Sequence, residues 1–230
     1  MDIYGNAIEL RNNGFTIVQM SDIRTVTRIQ ALVSELYGSS LVHSKSPSRE
    51  RFHNLIETYQ NKINEAGLLQ EFIKTNHDLI NFLVGDDDLS YVSVLKLRAV
   101  RPSEVLPPLE QDHVPIHRES LYAKTDQVTF QYNCWIPVSP AATSSGMYYY
   151  PRSHIIADSD LEIFEDLEHP VRVDRFSAGH RVGLPYLPKI ISQRCLEKIG
   201  PPSKFNVPIG SFVIFSAMLL HGGGGMVQIL

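Results

Sequence analysis

Cysteine is nearly absent from this chain of 230 residues: Cys134 and Cys195 are the whole complement. Two thiols so far apart in sequence exclude a disulfide scaffold and a CxxC zinc site, and a reducing cytoplasm is the expected setting. There is no basic excess either, since 21 Lys and Arg against 25 Asp and Glu leave a net charge of -4. A nucleic-acid surface needs a clustered positive charge, so no nucleic-acid partner is expected. No apolar run approaches the ~18 residues of a membrane span, and the opening MDIYGNAIEL is neither a signal nor a transit peptide. The glycines Gly222 to Gly225 are not followed by GK[ST], no dinucleotide fingerprint occurs, and no GxSxG elbow is present. Internal repeats and low-complexity segments are also missing.

What is there is an ordinary globular composition, read as one domain over residues 1–230. Gly14 to Met20 reads as a short strand. Ser21 or Asp22 then caps a helix to about Tyr37, with Ile23, Val26, Ala31, Leu32 and Leu36 as its apolar stripe. The Ser-rich stretch Gly38 to Arg49 is a loop, and helices follow at about Glu50 to Ala66 and Leu68 to Leu83. From Tyr91 the period becomes two. Strands are expected at Tyr91 to Arg101, Val114 to Ser120, Gln127 to Val138, Gly146 to Tyr150, Val171 to Arg175 and Ser211 to Ser216. Leu161 to Leu167 and Pro188 to Ile199 read as helical insertions. Helices first and short strands afterwards predict an α+β fold, with a helical layer over about 1–90 and a β-barrel or jelly-roll core over about 91–230.

The chemistry concentrates between Val114 and Trp135, in VPIHRESLYAKTDQVTFQYNCW. If residues 117–119 are extended, the two-residue period points His117 and Glu119 to one face and Arg118 to the other. His221, in LLHGGGG beside a further strand, offers a third ligand. Two histidines and a carboxylate form the facial triad that leaves three positions open on a non-haem Fe(II). The alternative is an ordinary surface pair of His117 and Glu119, with His221 a loop residue. His113 and His117 do not form a helical zinc pair, because Pro115 lies between them. On the strand after the motif, Thr129, Gln131, Asn133 and Trp135 share one face. Gln131 and Asn133 either point into the barrel as cosubstrate or substrate contacts, or face solvent. In GMYYYPRSH, Arg152 is a candidate clamp for an anionic group and His154 a candidate pocket donor, each against a purely structural role.

HRE at His117 to Glu119, NCWIPV at Asn133 to Val138, GMYYYPRSH and GSFVIFSAMLLHG, taken in that order, resemble the Fe(II)/2-oxoglutarate-dependent oxygenases, most closely the phytanoyl-CoA dioxygenase-like branch. The resemblance implies a double-stranded β-helix (jelly-roll, cupin-like) core with an N-terminal helical layer. In that core His117, Glu119 and His221 hold Fe(II), 2-oxoglutarate is the cosubstrate, and Gln131, Asn133 and Arg152 are the cofactor-binding candidates. It further implies a hydroxylase that uses O₂ on a small or conjugated organic substrate. Two departures stand out. The carboxylate is Glu where the family more often has Asp, and no Lys or Arg follows Lys204, where the family places a cation on the last strand for the far carboxylate of 2-oxoglutarate. Truncation after Leu230, or a substitute among Lys96, Arg98 and Arg152, is the expected explanation. Rival readings are a metal-dependent cupin-like isomerase or epimerase, and a non-catalytic binding protein with a degenerate site. Substrate and oligomeric state are not legible.

Overall fold

The structure, a computed structural model, describes residues 2–38, 49–85, 91, 97–98, 114–121, 131–138, 147–165, 189–223 and 228–229. It mixes helices with antiparallel sheets. The chain opens on a helix that the sequence reading did not contain, α1 (Ile3–Asn13), started by the Asp2 carboxylate accepting from Gly5 N–H and closed by left-handed Gly14. Its weak apolar stripe buries Leu10 alone, which is why periodicity missed it. Strand β1 (Phe15–Gln19) follows, then the amphipathic helices α2 (Arg24–Gly38), α3 (Arg49–Glu65) and α4 (Leu68–Val84). The expected loop between α2 and α3 lies outside the described residues, apart from its two ends.

The strands that follow are short: β2 (Leu97–Arg98), β3 (Val114–His117), β4 (Tyr132–Trp135), β5 (Met147–Tyr149), β6 (Ile163–Glu165) and β7 (Lys189–Ile191). Helix α5 (Gln193–Ile199) and strands β8 (Ser203–Lys204), β9 (Ser211–Ser216), β10 (His221–Gly223) and β11 (Gln228–Ile229) complete the order. Two expectations need correction. Leu161 to Leu167 is not helical where it is described: Ile163–Glu165 pairs antiparallel with Lys189–Ile191, because so short a run gains more from ladder bonds and its Ile-Phe pair than from a helix nucleus. Likewise the helix expected from Pro188 begins only at Gln193, where Ser192 Oγ accepts from Cys195 N–H at 3.0 Å. The expected strand Val171 to Arg175 lies outside the described residues.

Two sheets position the site. One has the order β1-β9-β4 and the other β3-β10-β5-β8. Strand β9 is buried on both faces. Phe212 and Ile214 join the helical side with Val26, Ile29 and Phe72, whereas Val213 and Phe215 point inward to Trp135, Met147 and Phe205. The layers are therefore helices, first sheet, second sheet, with apolar cores between successive layers. A third cluster packs Leu121, Tyr150 and Leu220 against α5 through Cys195 and Leu196. The pair β2 and β11 lies beside α3, whose Gln60 carboxamide oxygen accepts from Leu97 N–H at 3.0 Å.

Candidate metal centre

Strand β10 runs between β3 and β5, so the ladder places His221 opposite both His117 and Tyr149. The two imidazoles are buried, with ring centroids 4.4 Å apart. Phe215, reaching in from the first sheet, meets the His221 ring edge-on at 4.9 Å. His221 Nδ1 lies 2.8 Å from the carbonyl of Leu219. A carbonyl can only accept, so Nδ1 carries a proton, and in the neutral ring the lone pair is then on Nε2. That nitrogen points at Glu119, with Oε1 3.8 Å away.

Glu119 reaches this point by a route different from the expected strand. Strand β3 stops at His117, and Glu119 begins a 3-10 turn that runs to Leu121. Its N–H donates to Ala217 O at 2.9 Å, in the connection between β9 and β10, and Leu121 N–H donates back to Arg118 O at 3.1 Å. Arg118 stands between the strand end and the turn. Its fully buried guanidinium turns away from the histidines and donates to the carbonyls of Ile156 and Ser153 at 2.7 and 3.0 Å and to Asp158 Oδ1 at 3.0 Å. Burial lowers the pKa of Arg118, and Asp158 opposes that shift. The result is still convergence: one nitrogen from each histidine and one Glu119 oxygen all lie within 4.8 Å of one another.

This donor set fits a divalent metal. Ligands on one ion at bonds of about 2.1 Å stand about 3 Å apart, so 3.8 Å between His221 Nε2 and Glu119 Oε1 closes by small rotations. Two neutral imidazoles and one carboxylate suit Fe(II), Mn(II) or Zn(II), and three ligands from one side leave the opposite side open. Asn133 Nδ2 donates to Glu119 Oε1 at 3.2 Å, and Gln131 Nε2 lies 3.5 Å from Asn133 Oδ1. The inward face of β4 thus reaches the carboxylate through an amide relay. Cys134, on the opposite face, packs against the helical core, where burial pushes its thiol up to about 12.

The other named residues sit elsewhere. Arg152 is exposed on the turn after β5, at φ 60°, and it is not among the described contacts of the triad. Lys96 lies outside the described residues, and Arg98 stands opposite Gln228 in the β2–β11 pair. The His154 ring packs on the α-carbon of Gly14 and its Nε2 bonds Arg11 O at 3.0 Å. It lines a cleft of about 370 Å³ with Leu10, Tyr132 and Met218 that contains none of the triad. The sequence reading missed Ser120, Ser153 and Asp158, although a lone Arg behind a buried strand signals that a buried charge requires partners.

No protein-family model and no curated protein sequence matches this chain. Solved structures do. AviO1 from Streptomyces viridochromogenes Tue57 aligns with TM-score 0.54 at 14% identity, over 99% of this chain and 92% of that one. EvdMO1 aligns with TM-score 0.56 at 15% identity, over 99% of this chain and 49% of that one, so this chain spans about half of EvdMO1. SnoK, a non-heme alpha ketoglutarate dependent carbocyclase from nogalamycin biosynthesis, aligns with TM-score 0.51 at 14% identity, over 98% of this chain and 81% of that one. The likeness is one of fold.

Proposed function

We propose that the chain is a non-haem Fe(II)/2-oxoglutarate-dependent dioxygenase whose two antiparallel sheets are the halves of a double-stranded β-helix. The observation that carries this reading is the convergence of His117, Glu119 and His221, with the proton of His221 fixed on Nδ1 by Leu219. Sharing a fold with SnoK supports it. Fe(II) bound with 2-oxoglutarate would activate O₂, the oxidant: one oxygen atom would go into oxidative decarboxylation of the cosubstrate to succinate and CO₂, leaving the other for the substrate.

The residues of this chain hold and orient. His117 and His221 offer neutral nitrogen donors from adjacent strands, and Glu119 supplies the negative charge that favours a divalent ion. Asn133 donates to one Glu119 oxygen, which fixes the carboxylate plane. Phe215 and the buried sheet behind it keep bulk water off the His221 ring. The substrate is a small or conjugated organic molecule, and its hydroxylation is the proposed outcome. Fe(II)-loaded protein incubated with 2-oxoglutarate and O₂ across a substrate panel tests this. Succinate formation that requires both O₂ and Glu119 is expected; turnover that persists without O₂ contradicts the oxygenase reading and favours an isomerase.

A further inference from the structure

Glu119 is gripped from both sides. Arg118 Nη1 and Ser120 Oγ, the residues before and after it, each donate to the same oxygen, Asp158 Oδ1, and both distances are 3.0 Å. Arg118 reaches Asp158 from complete burial, and its other terminal nitrogen donates to Ser153 O at 3.0 Å. Ser153 is equally buried and serves the third ligand: its Oγ accepts the N–H of Leu220, next to His221, at 2.8 Å. Leu220 O in turn accepts from Tyr150 N–H at 2.9 Å. One segment, residues 150–158, therefore holds the neighbours of His117, Glu119 and His221 while touching none of those three side chains through these bonds.

From this geometry we infer that Asp158 is a positioning residue for the metal ligand Glu119, and that it acts through Arg118 and Ser120. The inference rests on the metal reading above. A strand would impose the direction of a ligand two residues beyond His117, but here the strand has ended and a single 3-10 turn carries Glu119. Such a turn is held by few bonds of its own. The Asp158 carboxylate supplies the missing constraint by tying the two flanking side chains to one atom. The buried guanidinium makes the tie stiff, because releasing Asp158 leaves a charge in the interior with only backbone carbonyls as partners. Asp158 itself is 44% exposed at its side chain, so removing it opens no cavity.

Mn(II) titration followed by electron paramagnetic resonance, with Co(II) visible spectra at saturation, tests the inference on wild type, Asp158→Ala, Asp158→Asn and Ser120→Ala. Asp158→Ala is expected to raise the Mn(II) Kd about tenfold or more and to change the Co(II) band pattern. Asp158→Asn retains an acceptor oxygen and is expected to recover most of both. Ser120→Ala removes one of the two tethers without touching Arg118 and is expected to weaken binding less, in the same direction, whether or not the Asp158 variants fold. Wild-type Kd and Co(II) spectrum in Asp158→Ala, even with a lowered Tm, would make the clasp purely structural and overturn the inference. Wild type that binds no Mn(II), or binds it unchanged after His117→Ala, fails at the earlier step, by removing the metal site on which the inference rests.

Discussion

The two sheets of this protein do different work with different means. In the first sheet, β9 carries five consecutive buried residues, pairs along its length with β1 and β4, and has apolar cores on both faces. In the second, β3 and β10 are four and three residues long, their register shifts between His221 and Gly223, and the two buried histidines of the site stand on them. A fully paired strand between two cores is rigid without further help. Short strands with buried polar ends need side-chain bonds to hold direction, and the Arg118, Ser153 and Asp158 contacts provide them. The first sheet thus carries the apolar packing, whereas His117 and His221 stand on the second and Glu119 follows in the turn after β3, bonded by Asn133 of the first.

The comparison breaks most readily at Phe212, which is fully buried and meets Phe72 edge-on at 5.6 Å. Phe212→Ala is expected to cost about 3–5 kcal/mol of unfolding free energy in urea titrations. A loss near zero would deny the first sheet its role. For the second sheet the corresponding experiment adds metal instead of removing atoms. Mn(II) at a hundred times the wild-type Kd is expected to stabilise wild type by about 2.7 kcal/mol and His221→Ala, at the same concentration, by about 1.4 kcal/mol or less, read as a Tm shift that is clearly smaller in the variant.

A smaller effect is expected at the joint between the two regions. Gly14 has φ 83°, and a Cβ there would meet His154 Nδ1 at 2.5 Å. Gly14→Ala is expected to cost about 1–2 kcal/mol for the left-handed backbone plus the displacement of the His154 ring, and urea midpoints will show it. The smallest effect is a pH dependence at that same contact. Burial lowers the His154 pKa below its ordinary 6.5, against a raising contribution from the Arg11 carbonyl. Protons bind the unfolded chain more readily, so this contribution is full above 6.5 and declines as pH falls through 6.5 toward the folded value. Replacing His154 by Gln is expected to flatten the stability profile over that window.

Much of the first sheet was legible in the sequence, because burial on both faces writes a continuous apolar run, and Phe212 to Phe215 within β9 is one. The convergence of His117, Glu119 and His221 was also legible from residue type and order, but the stated reason for Glu119 was not. Period two assigned it to the face of His117, whereas a 3-10 turn delivers it. Arg118, which leads into that turn, contacts residues 153–158, a separation of 35 to 40 residues that no local pattern encodes. The β6–β7 pair was misread for the same reason, since Ile163 finds its partner at Ile191. Helix α1 could have been found from its ends, Asp2 and Gly14, since its periodicity is too weak to announce it.

The most direct test of the central claim is an anaerobic Fe(II) titration of wild type, His117→Ala, Glu119→Ala and His221→Ala, with circular dichroism to confirm that each variant is folded. One Fe(II) per chain in wild type, and at least a tenfold weaker affinity in every variant, is the predicted result. Unchanged stoichiometry and affinity in all three variants would contradict it.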